Sequence, residues 1–171
     1  MSVVRLNTKS PTPYLRKHWH KLVSPLRLDR NERVVDLGGG NGRNTRFLQQ
    51  LGFRYCTLVD KAGDYGVQAE LGDKNPLPFR DEYADIILLN YVMMFIEKPR
   101  AISRALSEIN RIAAPDCTLM VEIQWLPDNA HTKIHTQEQA AVLTKTLQKK
   151  LHWDTIHASK YRFIAQKPKT K

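Results

Sequence analysis

The stretch that decides the fold reads Val34-Val35-Asp36-Leu37-Gly38-Gly39-Gly40-Asn41-Gly42. Residues 34–37 predict a short buried strand, and the alternate glycines at 38, 40 and 42 predict a tight turn into a helix. Glycine suits this turn because it accepts a positive φ and lets the backbone approach a ligand closely. The dinucleotide pattern G-x-G-x-x-G needs a third glycine where Arg43 stands, and the Gly-Lys-Ser/Thr of a P-loop does not follow. The loop therefore suits a ligand that lacks a pyrophosphate.

Outward from this loop, strand-like apolar runs alternate with helical spacings along the chain. The strand-like runs are residues 34–37, 55–59, 66–69, 84–89, 118–123, 153–157 and 161–165. The helical spacings are residues 43–51, 99–113 and 136–151, with Thr136 as a candidate N-cap and a turn at Pro115-Asp116. This order predicts an α/β fold with a doubly wound, seven-stranded, mostly parallel sheet, helices on both faces and ligands at the carboxyl ends of the strands.

The composition is typical of one soluble domain. The 171 residues are 42% hydrophobic and 26% charged, and no apolar run approaches the roughly 20 residues of a membrane-spanning helix. The N-terminus shows no apolar core of a secretory signal. Cys56 and Cys117 lie in strand-like runs, so we expect buried reduced thiols rather than a disulfide or a zinc site. These features predict a cytoplasmic protein without a membrane association.

Positive charge is concentrated at both ends of the chain. The formal net charge is +10, of which residues 1–33 carry +6, residues 145–171 carry +7 and the middle carries −3. Basic ends around a mildly acidic body favour attraction to a polyanion, most simply nucleic acid. They are equally consistent with solvated, lysine-rich ends that keep the protein soluble.

Several stretches follow the glycine loop in a fixed order. They are Asp60 at the end of the second strand, Gly72-Asp73-Lys74, Leu77-Pro78-Phe79, the run 82–87, the run 90–96, and the helix, turn and strand over 100–122. Together with the D-x-G-x-G-x-G pattern at 36–42, they resemble the class I S-adenosylmethionine-dependent methyltransferases, and in pattern the ubiquinone and menaquinone methyltransferases. The resemblance covers about residues 32–125. It departs from the family at Ala84, where Phe is usual, and at Pro115-Asp116-Cys117, where Pro-Gly-Gly is usual.

The resemblance implies S-adenosylmethionine as the cofactor. The residues it assigns to cofactor binding are Asp36, Gly38, Gly40, Gly42, Asp60, Lys61, Asp73, Lys74 and Asn90. The glycines would pass under the methionine part, Asp60 would accept the ribose hydroxyls, and Asp73 and Lys74 would meet the adenine. Asp36 would orient the loop more than touch the ligand. Asp73 is also consistent with a simple turn-forming acid after Gly72.

The resemblance places the acceptor's methyl site after the fourth strand. Asn90 and Tyr91 would form its wall, and methyl transfer needs mainly an aligned approach rather than a fixed catalytic residue. His131 and His135 are candidates for a general base or a substrate contact. They lack the Glu of H-E-x-x-H, so we expect no metal site. Residues 93–95 are expected to pack in the core.

The run Arg16-Lys17-His18-Trp19-His20-Lys21 interleaves basic and aromatic side chains. This suits base stacking and phosphate contact. An alternative is an amphipathic N-terminal helix that packs Tyr14, Trp19 and Leu22 over the cofactor site. Both interpretations predict that the segment lies close to the mouth of that site.

We expect one methyltransferase domain over residues 1–171. It divides into a basic helical segment (1–31), a cofactor-binding core (32–125), a helix and strand pair (126–166) and a basic tail (167–171). Because we see no inserted substrate domain, we expect a macromolecular acceptor on an open face, RNA in preference to DNA. A small-molecule acceptor and a protein acceptor remain alternatives, as does a non-catalytic S-adenosylmethionine-binding subunit that supports a protein partner.

Overall fold

The computed structural model describes residues 9–22, 30–62 and 65–169. Its helices are α1 (Pro13–His18), α2 (Arg43–Gln50), α3 (Pro99–Ile112) and α4 (Gln137–Leu151). Its strands are β1 (Arg33–Leu37), β2 (Tyr55–Asp60), β3 (Val67–Gln68), β4 (Ala84–Asn90), β5 (Ala113–Glu122), β6 (Asp154–Ser159) and β7 (Arg162–Gln166). Single 3-10 turns lie at Trp19–Lys21 and Met93–Phe95. In the described ranges, no helix combines the length and the apolar character needed to cross a membrane.

The seven strands form a sheet in the order β3-β2-β1-β4-β5-β7-β6. The first five are parallel, and β7 runs antiparallel between β5 and β6. Val35 is the partner of Thr57 on one side and of Ile87 on the other, so β1 lies between β2 and β4. The strand order reverses at β1, and in such sheets a ligand crevice opens at the carboxyl ends of the strands there. The predicted α/β fold is confirmed.

Apolar side chains of the sheet are buried on both faces. In β1, Val35 and Leu37 belong to the core that α3 and α4 cover. Val34 belongs to the second core, which contains residues of α1 and α2. β4 contributes to both, with Ile86–Leu89 at most 1% exposed. A strand covered on both faces reads as a continuous apolar run, which is why the sequence ADIILL predicted it.

The start of β5 differs from the prediction. The chain leaves α3 at Ile112 and enters β5 at Ala113, so Pro115-Asp116 lies within the strand rather than in a separate turn. Asp116 has a φ of 63°, and the register with β4 shifts between Ala84 and Ile86. An irregularity of this kind absorbs the turn-forming residues while the ladder continues. The sequence pattern predicted a turn at Pro115-Asp116 and a strand that begins only at residue 118, whereas β5 begins at Ala113.

The N-terminal segment packs on the α2 face of the sheet. Tyr14, Leu15 and Leu22 are buried in the second core. The guanidinium of Arg30 lies 4.6 Å from the ring centroid of Trp19 and 5.1 Å from that of Phe53. The helical part ends at residue 21, and residues 1–8 and 23–29 of the predicted 1–31 segment lie outside the described residues.

The basic tail is partly committed to the fold. Lys167 Nζ donates to the carbonyl oxygens of Asn110 and Ala113, at 2.9 and 2.7 Å. Lys169 pairs with Asp116 at 3.4 Å, and Lys171 lies outside the described residues. Lys167 therefore bonds to the backbone at the C-terminal end of α3, so its charge is partly used within the fold.

The two cysteines are free thiols, as predicted. Cys117 is buried, whereas Cys56 is only partly buried. Burial raises the pKa of Cys56 to about 11, so its thiol stays protonated and weakly reactive near neutral pH.

We expect Thr136→Ala to lower the free energy of unfolding by about 1 kcal/mol. The Thr136 side chain accepts from the N–H of Gln139, and the Gln139 side chain accepts from the N–H of Thr136, which completes a capping box. Urea denaturation measures the loss. Thr146→Ala, in the exposed middle of the same helix, should change stability by less than about half of that amount; equal losses in both variants would contradict the capping role.

Candidate active site

A cleft of about 640 Å³ opens at the carboxyl ends of β1, β2 and β4. Its walls come from the glycine loop (37–41), the end of β2, residues 69–73, the segment after β4 (90–98) and part of the loop that follows β5. This is the position that the reversal of strand order at β1 provides for a ligand.

The cleft brings together most of the residues that the sequence singled out. Those that line it are Gly38, Gly40, Asp60, Lys61, Asp73, Asn90, Tyr91 and His131. Those that do not line it are Asp36, Gly42, Lys74 and His135. The first set forms the candidate site, and the second set supports or borders it.

Two glycines of the loop have different spatial requirements. A Cβ on Gly38 would lie 2.4 Å from the side chain of Val92, so only glycine lets the loop pass the segment after β4. Gly40 has a φ of 55°, and a Cβ there would meet nothing within 4 Å. Because Gly40 lines the cleft, the space above it is a cradle that a ligand could fill. The loop therefore fits the bound methionine part of S-adenosylmethionine.

Asp60 ties the glycine loop to the end of β2. One carboxylate oxygen accepts from the N–H of Gly40 and the other from the N–H of Ala62, both at 3.0 Å. A carboxylate has about four lone-pair positions, so two backbone donors leave it able to accept further hydrogen bonds. The ribose hydroxyls of the cofactor fit this remaining capacity.

Asp36 lies beneath the loop rather than in the cleft. It is 1% exposed, and its carboxylate accepts from the Thr45 hydroxyl at 2.7 Å. A Cβ on Gly39 would lie 2.8 Å from the Asp36 carboxylate, so the loop rests directly on this side chain. Burial raises the pKa of Asp36 to about 6.

Helix α3 holds the turn that carries Asp73. The guanidinium of Arg104 donates from Nε to the carbonyl oxygens of Gly72 and Asp73, at 2.9 and 3.1 Å. Gly72 has a φ of 85°, and a Cβ there would lie 2.7 Å from the carbonyl oxygen of Ala101. The close approach of this turn to the backbone of α3 therefore requires glycine at position 72. The turn places Asp73 at the cleft.

A buried carboxylate that we did not predict stands behind the methyl-site wall. Glu122, at the end of β5, is 0% exposed and accepts from the hydroxyl of Thr12 and the amide nitrogen of Asn90. It also accepts from the Tyr91 hydroxyl at 3.2 Å and pairs with Arg162 at 3.7 Å. The sequence did hold a signal, because Glu122 is a charged residue inside the apolar run 118–123.

Burial and neighbouring charges shift the pKa values of Glu122 and Tyr91. Burial raises the pKa of Glu122, while the Thr12 hydrogen bond and the Arg162 charge act in the opposite direction. Burial, followed by the Glu122 charge, raises the pKa of Tyr91 to about 12. The Tyr91 hydroxyl therefore remains protonated near neutral pH and donates to Glu122.

The two histidines are not in equivalent positions. His131 lines the cleft, whereas the His135 ring faces the carbonyl oxygen of Leu126, with Nδ1 at 3.1 Å. Within the described residues, no group of three or more His, Cys, Asp or Glu side chains is placed to hold a metal ion. Of the two histidines, His131 lines the cleft and His135 does not.

Residues 93–95 divide between core and cleft. Met93 and Met94 are 1% and 2% exposed, which confirms the predicted core packing, and Met94 also borders the cleft. The prediction is wrong for Phe95, which is 36% exposed and lines the cleft, because the 3-10 turn directs Met93 into the core and Phe95 toward the cleft.

The basic and aromatic run of the N-terminal segment is not at the mouth of the cleft. None of residues 13–22 lines it. Instead, the Tyr14 hydroxyl lies 2.8 Å from His157 Nδ1, and the His18 ring lies 4.5 Å from the His157 ring. The predicted placement over the cofactor site is therefore wrong, since packing of Tyr14 and Leu15 holds α1 against the sheet. Thr12, which precedes the helix, donates to Glu122 behind the wall of the site.

Comparison with known families decides the assignment. A family model of the methyltransferase domain matches residues 12–158. The chain belongs to this family. The resemblance to S-adenosylmethionine-dependent methyltransferases is thereby confirmed, and with it the predicted cofactor, S-adenosylmethionine.

Relatives of the chain include a protein named for tRNA modification. "Probable tRNA methyltransferase 9B" of Mus musculus is 34% identical over 110 residues, which are 61% of this chain and 24% of that protein. This methyltransferase chain thus spans about a quarter of that relative's length.

Solved structures share the fold. A SAM-dependent methyltransferase from Archaeoglobus fulgidus has a TM-score of 0.63 at 15% identity, over 90% of this chain and 91% of that one. The 1,6-didemethyltoxoflavin-N1-methyltransferase of Burkholderia thailandensis, solved with S-adenosylhomocysteine, has a TM-score of 0.58 at 18% identity, over 88% and 74% of the two chains.

We expect Gly40→Ala to weaken binding of S-adenosylhomocysteine by at least about tenfold, because the added methyl enters the open space of the cradle. Gly52→Ala is the matched control, since Gly52 also has a positive φ, of 95°, but lies outside the cleft. Both variants should lose about 1–2 kcal/mol of stability from the left-handed backbone. Calorimetric titration measures the affinities, and similar affinities in the two variants would contradict the cradle.

We expect Asp36→Asn to change how stability depends on pH. An ordinary Asp pKa is 3.8, and burial raises that of Asp36 to about 6, so the wild type loses stability as pH rises between these values. The loss is at most about 3 kcal/mol and is complete above pH 6. Urea denaturation between pH 4 and 7 should show it in the wild type and in Asp154→Asn, a variant at an exposed site, but not in Asp36→Asn. If the free energy of unfolding changed with pH in the same way in the wild type and in Asp36→Asn, titration of Asp36 would not be the cause.

Proposed function

We propose that the chain transfers a methyl group from S-adenosylmethionine to a nucleic acid, with RNA favoured over DNA. The observation that carries the acceptor assignment is the 34% identity with a protein named as a tRNA methyltransferase. The net charge of +10 supports it, because phosphate contacts dominate nucleic-acid affinity.

The cofactor-binding roles rest on the geometry of the loop and the strand ends. The cradle above Gly40 would hold the methionine part, Asp60 would accept the ribose hydroxyls and Asp73 would face the adenine. Helix α2 begins directly after Gly42. The partial positive charge at its N-terminus would attract the carboxylate of the cofactor. Asp36 and Gly42 serve by supporting the loop, outside the cleft itself.

S-adenosylmethionine held by these residues would supply an electrophilic methyl group on a sulfonium, so that the acceptor atom would gain the methyl carbon as the carbon–sulfur bond breaks with its electron pair left on sulfur, and the acceptor's proton would pass to water. Alignment supplies much of the rate in such a transfer, and Asn90 and Tyr91 are the residues that would align the acceptor.

Two cationic side chains, Arg43 and Lys98, line the cleft. The Arg43 guanidinium lies 5.8 Å from the Tyr91 ring centroid, beside the proposed methyl site. These two side chains would contact phosphates around the target nucleotide.

A small-molecule acceptor is the second candidate. The cleft volume of about 640 Å³ lies within the usual range of small-molecule sites, roughly 300–1,000 Å³. A protein acceptor and a supporting role beside a protein partner are further outcomes that the same assay would detect.

We expect transfer of tritiated methyl groups from S-adenosylmethionine to unfractionated tRNA. Asp60→Ala should reduce this transfer at least about tenfold through weaker cofactor binding, and Asp154→Ala, at an exposed site, should retain it. The acceptor affinity should fall with salt, by a slope of about −0.7 per phosphate contacted on a single strand.

Parallel assays with duplex DNA, protein and metabolite fractions of a host extract identify the acceptor class. Transfer to the metabolite fraction alone, with a KM insensitive to salt, would replace the nucleic-acid proposal by the small-molecule one. Transfer to no fraction, despite binding of S-adenosylhomocysteine, would favour the non-catalytic subunit.

A further inference from the structure

Four side chains surround the Glu122 carboxylate. Thr12, Asn90 and Tyr91 donate hydrogen bonds to it, and Arg162 forms an ion pair with it. In each hydrogen bond Glu122 is the acceptor, and all four neighbours lower its pKa against the effect of burial, so each group that bonds to this carboxylate donates. The carboxylate therefore decides which end of each neighbouring side chain faces it.

Asn90 is fixed by this requirement. Its amide nitrogen must face Glu122, which leaves the carbonyl oxygen Oδ1 as the free end of the amide. Asn90 is 7% exposed, and among the described residues its Oδ1 is buried without a hydrogen-bond partner. A buried acceptor that lacks a donor is costly, and Asn90 lines the cleft, so a ligand donor would satisfy it.

Tyr91 is fixed in the same sense. Its hydroxyl proton is directed to Glu122, so the lone pairs of its oxygen are what remains for another partner. Its backbone is also held in place, because the Tyr91 N–H donates to the carbonyl oxygen of Glu122 at 2.9 Å. Tyr91 lines the cleft beside Asn90.

We propose that Glu122 is a positioning residue that turns Asn90 and Tyr91 into hydrogen-bond acceptors, so that the group to be methylated carries an N–H or an O–H. This substrate class includes amino groups, ring imino groups and hydroxyls. An ionised carboxylate would meet two acceptor oxygens with the buried negative charge behind them, and a thioether or a tertiary carbon would leave Asn90 Oδ1 unsatisfied. The inference rests on the proposed methyl site, but not on the acceptor being RNA.

Sinefungin tests whether Asn90 and Tyr91 present hydrogen-bond acceptors to the methyl position, and the test needs no methyl-accepting substrate. In this analogue of S-adenosylmethionine a carbon bearing an ammonium group replaces the methylated sulfur, so a strong donor occupies the methyl position. S-adenosylhomocysteine has nothing there. Calorimetric titration of the wild type should give at least about tenfold tighter binding of sinefungin than of S-adenosylhomocysteine, as expected for hydrogen bonds from a charged donor.

Substitutions distinguish a positioning role of Glu122 from a purely structural one. In Glu122→Gln the new amide can donate, Asn90 and Tyr91 lose their fixed polarity, and the sinefungin preference should fall at least about fivefold. Tyr91→Phe, which keeps Glu122 and its other partners, should also reduce the preference and serves if Glu122→Gln does not fold. Glu138→Gln, at an exposed site on α4, should leave the preference unchanged.

The outcomes are distinct. Binding of sinefungin no tighter than that of S-adenosylhomocysteine by the wild type would overturn the proposal. So would equal weakening of both ligands in Glu122→Gln, because a purely structural role lowers both affinities and leaves their ratio. A sinefungin preference that depends on Glu122, together with no methylation of tRNA, would support this inference and reject the nucleic-acid acceptor alone.

Discussion

The reversal of strand order at β1 is the constraint on which the site depends. Because β2 and β4 flank β1 in parallel, three strand ends meet at one edge of the sheet, and the loops that follow them must diverge without colliding. Gly38 makes this geometry possible, since any side chain there would strike Val92. Once the two loops pass each other, the cleft and the positions of Asp60 and Asn90 follow from the ends of β2 and β4.

Much of the architecture could be predicted because its causes are local. A glycine loop after an apolar strand, the apolar run of β4 and the Thr136 cap each depend on residues within a few positions of one another. The same local reading misjudged residues 113–117, where pairing with β4 continues through a Pro-Asp pair that would otherwise end a strand. Sheet pairing, which is non-local, overrode the turn propensity there.

The environment of the methyl site could not be predicted in this way. Glu122 acquires its importance from Asn90 and Tyr91, about thirty residues away, and from Thr12, which is 110 residues away in sequence. Likewise, the net charge of the chain ends gave no indication that Lys167 would bond to backbone carbonyls. A charge pattern counts side chains, whereas availability to a partner depends on what each side chain already contacts.

The insertion of β7 between β5 and β6 has a consequence for biosynthesis. During translation, β5 leaves the ribosome with one edge unpaired, and the strand that will cover that edge is made only after α4 and β6. The backbone N–H and C=O groups of Leu119, Met120 and Val121, which pair with β7 in the final fold, form that open edge in the meantime. Arg162, which neutralises Glu122, arrives with the same late strand. A chain that ends before residue 162 thus lacks both the strand that pairs with the edge of β5 and the cation that faces Glu122.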